Sequence, residues 1–409
     1  MTTELRQLRP DEWDDWYASV ERVFGGTPEA PEERALWRGL GKPERSLTVR
    51  DGSDVVGTAG AFTFRLSLPG GAVVPAAGVT MVSVQPTHRR RGLLREMMRH
   101  QLADIRARRE PLAVLTASEP AIYGRFGYGA ATEAVSMTLD TLRLSVPALP
   151  GTDAVRLRLI DPETALPDCE KVYDQLVAGR PGMLARQPGW ERLPLLDPEA
   201  DRDGAGPLLC VLAEVAGEVR GYARYAVKAG WDGGGPDGTV VLRDIEALDP
   251  AVHAALWRYL FGIDLTSRVT VRNRPADDPL LHLVDDIRRC RVTVRESLFV
   301  RLVDVGGALA ARAYAAPLDV VLEVADAGCP WNEGRWRLTG DGRGASCERT
   351  DDPADLALSV RELGSAYLGG FSLSALAAAG RVRELRPGAL REASVAFGWH
   401  IKPWLPHGF

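Results

Sequence analysis

The chain has 409 residues, of which 45% are hydrophobic and 26% are charged. At about 100–200 residues per domain, this length predicts two to four folded domains. The net charge of −5 argues against nucleic acid as the main partner, because proteins that bind the phosphate backbone usually carry a basic excess. The five cysteines form no CxxC pair, which argues against a disulfide framework and a metal site. No run of about 18 apolar residues occurs, so we expect a cytoplasmic protein without membrane contact.

The first part of the chain predicts two helices followed by hairpinned strands. Apolar side chains at helical spacing indicate an amphipathic helix over residues 10–24 and a second helix over 32–40. Runs of β-branched residues, separated by Asp-Gly and Pro-Gly turns, predict strands at 47–50, 55–59, 62–68 and 73–84.

The stretch from Val82 to Met98 carries the clearest functional signal. A short strand ends at Pro86, three arginines lead into Gly92, and a helix follows over 93–105. The N–H groups at a helix start are unpaired and together carry roughly half a positive charge, so they bind phosphate groups well. Gly92 lets the backbone come close to such a ligand. This pattern predicts an anion-binding turn, and the alternative is a solvated basic turn.

A buried strand is predicted next, at 112–116, and a tight loop rich in glycine and tyrosine follows it at 118–129. Taken with the preceding elements, this order resembles a Gcn5-related N-acetyltransferase (GNAT) domain. The GNAT signature is Arg or Gln, two residues, Gly, one residue, and Gly or Ala. Arg89 and Gly92 match it, whereas Leu94 replaces the last small residue.

Longer motifs resemble a narrower group, the Eis (enhanced intracellular survival) family, which transfers acetyl groups to amines of aminoglycosides and to lysines. These motifs are Pro86–Arg95, Ser118-Glu119 and Ile122–Gly129. The resemblance implies an α/β (α+β) chain of tandem GNAT-fold domains, the second degenerate, followed by a domain similar to sterol carrier proteins. It also implies acetyl-CoA as co-substrate, no metal, and a homohexamer.

An internal repeat supports a second GNAT-like domain. Asp54–Ala59 and Glu218–Ala223 share the pattern acid, Val, any residue, Gly, hydroxyl-bearing residue, Ala. Leu248-Asp249-Pro250 matches the pattern of Val84-Gln85-Pro86. A helix is predicted after it, at 254–261, but neither an arginine run nor a glycine precedes that helix. We therefore expect one coenzyme site per chain, unless the two short patterns agree by chance.

The Pro- and Gly-containing stretch at 147–151 suggests a boundary between domains. With the resemblance, the predicted division is a catalytic GNAT domain at 1–148, a degenerate GNAT-like domain at 149–287 and a sterol-carrier-like domain at 288–409. Within the last region we predict strands at 292–303, 320–324 and 336–338, a helix at 308–313, and a stretch at 363–379 that ends in an alanine-rich helix.

The anion-binding turn and the family resemblance together predict which residues bind the cofactor. The backbone of the strand before the turn could pair with the pantetheine amides as an added strand does. The turn and the helix start would hold the pyrophosphate. The predicted cofactor-binding set is Val82, Ser83, Val84, Arg89, Arg90, Gly92, Leu93, Leu94 and Ser118.

Two residues are predicted to move protons. Tyr123 is a phenol with a reference pKa of about 10, so it is protonated at neutral pH, and it looks like the tyrosine that serves as general acid in Eis-type enzymes. The resemblance assigns the base to the C-terminal carboxylate of Phe409, at the end of an aromatic, proline-stiffened tail. A carboxylate of reference pKa about 3.5 needs burial or a relaying water to act as a base. The alternatives are packing for Tyr123 and tail docking for Phe409.

Phe24, Trp37 and Glu119 are the candidate substrate-binding residues, because an aromatic and acidic lining suits a polyamine cation. Core packing is the alternative for the two aromatic residues. Gly25, Gly26 and Gly408 stand where members that favour aminoglycosides tend to carry carboxylates, so we expect a weaker attraction for polycations. The leading function is acetylation of amines on aminoglycoside-like or other polyamine molecules. The alternatives are a lysine acetyltransferase of proteins or peptides and a carrier of lipids or other apolar ligands.

Overall fold

The computed structural model describes residues 3–26 and 29–409 and divides into two compact units. The first unit contains the described residues up to Thr132, the segment Arg180–Ala185 and the segment Glu296–Phe409. The second unit contains Glu133–Gly179 and Arg186–Arg295.

The helices and strands follow one another in a mixed α/β order. Before residue 133 they are β1 (Glu4–Gln7), α1 (Trp13–Val23), α2 (Pro31–Leu40), β2 (Leu47–Asp51), β3 (Asp54–Ser67), β4 (Val73–Val84), α3 (Leu93–Ala107), β5 (Leu112–Thr116), α4 (Pro120–Tyr123) and β6 (Gly129–Ala130). The middle of the chain adds β7 (Glu133–Asp140), β8 (Arg156–Ile160), α5 (Pro162–Val177), β9 (Leu209–Val215), β10 (Glu218–Lys228), β11 (Trp231–Asp232), β12 (Gly235–Pro236), β13 (Gly238–Ala247), α6 (Pro250–Phe261), β14 (Thr266–Pro275), α7 (Leu280–Leu283) and β15 (Thr293–Glu296). The last part adds β16 (Leu298–Leu302), α8 (Val305–Ala310), β17 (Leu318–Ala325), β18 (Gly334–Asp341), β19 (Gly344–Arg349), β20 (Leu356–Ser359), α9 (Val360–Ala366), α10 (Leu373–Ala378), β21 (Val382–Glu384) and α11 (Ala389–Phe397).

The large sheet of the first unit has the strand order β1-β2-β3-β4-β5-β16-β6. Adjacent residues of β3 point to opposite faces, as the pleat of a strand requires. Val55 packs with Trp13 and Trp16 of α1, whereas Val56 packs with Met97 of α3. The two helices therefore cover opposite faces of this sheet.

The large sheet of the second unit has the strand order β8-β9-β10-β13-β14-β7-β15. This order repeats that of the first sheet, with β10 and β13 in the places of β3 and β4. In both sheets one strand comes from a distant part of the chain: β16 joins the first sheet and β7 joins the second. Strand pairing thus crosses the positions 148 and 287, while the domain boundaries themselves stay predictions.

The last part of the chain builds a smaller sheet in the first unit, with the order β19-β18-β17-β20-β21. The tail that follows α11 is anchored within the same unit. Trp404 and Leu405 are buried, and the backbone N–H of Trp404 donates to the carbonyl of Pro181 at 2.9 Å. Arg180 donates to the carbonyl of Lys402 at 2.6 Å. These contacts fix the direction in which the chain runs towards Phe409.

The structure corrects two element predictions. The strands predicted at 55–59 and 62–68 form the single strand β3, because Gly60 and Ala61 pair across to Thr80 and Val79. The stretch 363–379 ends, as predicted, in the alanine-rich helix α10, and α9 precedes it. Gly369 lies between them with φ 83°, a left-handed conformation that ends a helix. The tight loop predicted at 118–129 contains the short helix α4.

Among the described residues, none of the helices combines the length and the apolar character needed to cross a bilayer.

Candidate active site

A cavity of about 1420 Å³ lies in the first unit. Its walls come from α1, α2, β4, the turn before α3, α3 itself, α4, the short segment Ala327-Gly328 and the last residue of the chain. All the residues that the motifs placed in the site line this cavity: Phe24, Trp37, Val82, Ser83, Val84, Arg89, Arg90, Gly92, Leu93, Leu94, Ser118, Glu119, Tyr123 and Phe409. The structure therefore brings the predicted residues together, while their individual roles stay predictions.

The strand β4 presents a free backbone edge to the cavity. It pairs in parallel with β5 only from Ala76 to Gly78, so its later residues have no partner on that side among the described strands. Its register with β3 also shifts between Thr58 and Gly60, and Met81 at the shift has φ 52°. An extended ligand can add to such an edge through main-chain hydrogen bonds.

The side chain of Ser83 is not available to bind a ligand in the cavity. It is buried, and its hydroxyl shares a hydrogen bond of 2.7 Å with the hydroxyl of Thr58. Ser83 therefore offers its backbone to the cavity, and the half-buried side chains of Val82 and Val84 supply apolar contact.

The turn before α3 has the geometry of an anion-binding site. Gly92 is the N-cap of α3 with φ 87°, and Arg90 has φ 63°. No side chain caps the helix, and within the described residues the N–H groups of Gly92, Leu93 and Leu94 have no acceptor. The space where a Gly92 Cβ would lie is open. Unpaired amides and the helix dipole together favour a phosphate here.

In the second unit, a carboxylate caps the helix start that corresponds to the start of α3. The helix α6 is capped by Asp249, whose side chain accepts from the N–H of Val252 at 3.2 Å. Arg220 donates to the same carboxylate at 2.9 Å. A negative side chain on the amides repels a phosphate and satisfies the donors that would bind it. The Asp249 cap had a sequence signal, since Asp-Pro before an apolar run marks a helix start.

Tyr123 lies at the end of α4, and its ring packs edge-to-face with the ring of Tyr128, at 6.0 Å between ring centroids. Its hydroxyl has no hydrogen-bond partner among residues 3–26 and 29–409. Burial, and then the charge of Glu119, raise the pKa of Tyr123 to about 12. The phenol is therefore protonated at neutral pH and is free to donate its proton to a ligand.

Phe409 reaches the cavity through aromatic packing. Its ring lies 4.8 Å from the ring of Phe64, measured between centroids, in an edge-to-face arrangement. Gly78 on β4 makes room for this pair, since a Cβ there would lie 2.2 Å from Phe64 and 3.2 Å from Phe409. The terminal carboxylate forms no ion pair with a residue that the structure describes.

The candidate substrate residues form a partly exposed aromatic wall. Phe24 is 55% exposed, so it lines the cavity instead of filling the core. Trp37 is half-buried, with its indole 6.1 Å from the ring of Phe62, and donates to Glu33 at 3.4 Å. Glu119 is exposed at the start of α4.

The structure adds carboxylates that the motif comparison missed. Glu29 and Glu33 line the cavity, and the buried hydroxyl of Tyr17 donates to Glu29. Burial raises the pKa of Glu29, while the Tyr17 hydrogen bond opposes that rise. Glu33 had a sequence signal, because it lies one helical turn before Trp37. Glu29 had none, since its position depends on how the chain enters α2. Glu29 and Glu33 thus add two carboxylates to a lining for which the motifs named only Glu119, while the expected weaker attraction for polycations stays a prediction.

Comparisons with known proteins agree with this architecture. Residues 4–131 match an acetyltransferase (GNAT) domain family, residues 182–302 match another acetyltransferase (GNAT) domain family, and residues 305–406 match a sterol carrier protein domain family. These matches confirm the predicted fold class of tandem GNAT domains followed by a sterol-carrier-like domain.

Two full-length relatives are named as N-acetyltransferases. The chain is 65% identical over 409 residues to an uncharacterised N-acetyltransferase of Streptomyces avermitilis, with 100% of each chain covered. It is 36% identical over 415 residues to N-acetyltransferase Eis of Mycobacterium tuberculosis, with 97% of each chain covered. The crystal structure of Eis1 from Mycobacterium abscessus has a TM-score of 0.85 at 33% identity and covers 100% of each chain.

Proposed function

The chain belongs to the Eis family of GCN5-related N-acetyltransferases, and from that premise we propose that it transfers the acetyl group of acetyl-CoA to primary amines of aminoglycoside-like or other polyamine molecules. One observation carries the proposal. A single cavity holds an uncapped helix start, a free strand edge and the unpaired hydroxyl of Tyr123.

The coenzyme supplies the acetyl group as a thioester, and the chain orients it. The N–H groups of Gly92, Leu93 and Leu94 and the guanidinium groups of Arg89 and Arg90 bind the pyrophosphate. The edge of β4 from Val82 to Val84 pairs with the pantetheine amides, and Ser118 lines the same side. This arrangement holds the carbonyl carbon for attack by the amine.

Tyr123 donates its proton to the departing CoA sulfur. The burial that raises the pKa of the phenol to about 12 also raises the pKa of a thiol that leaves in the same place, so the two groups stay matched. The carboxylate of Phe409 accepts the proton that the amine loses, directly or through a water molecule. Only a neutral amine can attack the thioester carbonyl, so removal of the amine proton determines which fraction of the acceptor reacts.

The acceptor amines lie against aromatic faces and carboxylates. Phe24 and Trp37 supply faces for cation–π contact, and Glu29, Glu33 and Glu119 supply negative charge. This lining favours a compact molecule with several ammonium groups over a neutral one. It is the observation that supports small polyamines as the acceptor class.

The direct test is a panel of acceptors with the full-length protein. Release of the CoA thiol from acetyl-CoA is followed with aminoglycosides, linear polyamines and lysine-containing peptides, and acetylated products are identified by mass spectrometry. We expect turnover with aminoglycosides or polyamines that exceeds turnover with peptides. Release with lysine peptides alone would favour the lysine acetyltransferase, and no release together with no acetyl-CoA binding would favour a carrier.

A matched pair of variants tests the acidic lining. Glu33→Gln removes a carboxylate that lines the cavity, whereas Glu32→Gln removes an exposed one from the same helix outside the lining. We expect the KM for a polycationic acceptor to rise roughly threefold to tenfold in Glu33→Gln alone. Equal KM values in the two variants would contradict this role. The homohexamer stays a prediction, and light scattering of the purified protein measures it.

A further inference from the structure

The segment 180–185 of the first unit is fixed to the end of β3 by its backbone. The N–H of Gly182 donates to the carbonyl of Ser67 at 2.9 Å, and the N–H of Ser67 donates to the carbonyl of Met183, also at 2.9 Å. The side chains of Met183 and Leu184 are buried. Because strand pairing and burial act together, this segment has little freedom to move relative to the sheet.

The same segment holds the tail that leads to the end of the chain. The carbonyl of Pro181 accepts from the N–H of Trp404 at 2.9 Å, and Arg180 donates to the carbonyl of Lys402 at 2.6 Å. Trp404 is buried and lies only five residues before the last residue. We call the segment Arg180–Met183 the tail clamp, since it connects β3 to the tail.

Gly182 of the tail clamp leaves no room for a side chain. A Cβ there would lie 2.8 Å from the oxygen, 3.0 Å from the nitrogen and 3.2 Å from the carbonyl carbon of Trp404, all of them backbone atoms. Its φ of 91° is also in the left-handed region that favours glycine. Since the tail clamp is fixed to β3, an alanine at this position displaces the tail and breaks the bond between Pro181 and Trp404.

The neighbouring tail residue lies against a second glycine. A Cβ on Gly370 would lie 2.8 Å from the ring of Pro403. Two consecutive residues of the tail are thus in close contact with glycine backbone. The path of the tail is therefore set by backbone packing at Pro403 and Trp404, shortly before it reaches the cavity.

We propose that Gly182 is a positioning residue for the reaction, because the path that it permits places the terminal carboxylate of Phe409 in the cavity. The inference rests on the proposed function, which takes that carboxylate as the base. The ring of Phe409 packs on Phe64, so β3 contacts the chain end directly as well as through the tail clamp. Proton transfer requires hydrogen-bond reach, and a misplacement of about 1 Å can cost up to roughly 10²-fold in rate.

Gly182→Ala tests this role in the full-length protein. We expect kcat to fall roughly tenfold or more, while the Kd for CoA, measured by calorimetry, stays within about twofold. Gly380→Ala is the matched control, because Gly380 lies in the same unit with φ 74° and open space where its Cβ would be. It should lower Tm by a similar few degrees and leave kcat unchanged. An unchanged kcat in Gly182→Ala would overturn the inference.

A short C-terminal extension distinguishes positioning of the carboxylate from general damage to the structure. The extension already moves the carboxylate out of place, so Gly182→Ala should lower the residual kcat of the extended protein no further. A second fall of the same size in the extended protein would overturn the inference, because Gly182 would then act on something other than the carboxylate.

Release of Phe409 by a carboxypeptidase measures the hold on the tail without any acceptor. We expect release to be roughly threefold or more faster in Gly182→Ala than in Gly380→Ala. Arg180→Ala is a second variant that keeps the backbone of the tail clamp, and it should also release Phe409 faster than the control. Equal release rates in all three variants would overturn the inference. No turnover of the unaltered protein with any acceptor would instead overturn the proposed function, and with it the catalytic role of the tail.

Discussion

Tyr123 owes its chemical character to its surroundings. A tyrosine in a glycine-rich loop has no fixed role, and the motif could only match it to a family tyrosine. In the structure its ring packs on Tyr128, its hydroxyl is unpaired among the described residues, and burial raises its pKa to about 12. The phenol is therefore protonated at neutral pH.

Tyr123→Phe removes the proton donor and keeps the ring. We expect kcat to fall roughly 10²-fold or more, because general acid catalysis contributes about 10²–10⁴. The Kd for CoA, measured by calorimetry, should stay within about twofold. Tyr128→Phe is the control, since it removes a buried hydroxyl that has no hydrogen-bond partner in the part of the chain that the structure describes and lies outside the cavity lining. A kcat of Tyr123→Phe equal to that of Tyr128→Phe would remove Tyr123 from the mechanism.

The pKa of Tyr123 also fixes the sign of its pH effect. An acid donates in its protonated form, so activity that depends on Tyr123 is present below about pH 12 and lost above it. Between pH 7 and 10, kcat/KM should rise as the acceptor amine loses its proton, with no fall caused by the phenol. A decline with an apparent pKa near 10, absent in Tyr123→Phe, would show that the phenol titrates at its ordinary value.

At the scale of elements, the two large sheets differ at one helix start. They share one strand order, and β4 and β13 hold equivalent places. The helix after β4 starts at Gly92 without a cap, whereas the helix after β13 starts at a capping carboxylate from Asp249. The N–H groups at the helix start after β4 are therefore open to a phosphate, whereas a side chain already accepts from the helix start after β13.

Gly92→Ala tests that turn. An alanine at φ 87° costs roughly 1–2 kcal/mol, and its methyl group enters the space beside the unpaired amides. We expect the affinity for CoA to fall about tenfold or more, measured by calorimetry, with a small drop in Tm. Gly217→Ala is the matched control, because Gly217 has φ 85° and equally open space but lies in the second unit. If both variants lose stability alike and neither loses CoA affinity, the turn is not the phosphate site.

At the scale of the first unit, residues far apart in sequence complete one cavity. The anchored tail brings Phe409 to Phe64, and Ala327-Gly328 supplies another part of the wall. Trp404 and Leu405 hold the tail several residues before its end. Loss of the terminal residue should therefore leave the anchor, and most of the stability, in place.

Three changes at the chain end distinguish the contribution of the terminal carboxylate from that of the Phe409 ring. Deleting Phe409 removes both, a short C-terminal extension moves the carboxylate away, and Phe409→Ala keeps the carboxylate and removes the ring. We expect kcat to fall strongly in the first two and less in Phe409→Ala, with Tm within a few degrees in all three. Full kcat in the extended protein would exclude the terminal carboxylate as the base.

The sequence by itself determined the local features of this protein. Helix and strand periodicity, the chain break at Pro86, the arginine run and Gly92 are properties of short contiguous stretches. A candidate anion-binding turn could therefore be predicted from them, and the family from the motifs at 86–95, 118–119 and 122–129. The tertiary structure alone decided which remote residues meet. Contacts between distant segments place the carboxylate of Glu29 beside Tyr17, pack Phe409 on Phe64 and add β16 to the first sheet. Local propensity carries no information about such contacts, because they form only when the chain closes on itself.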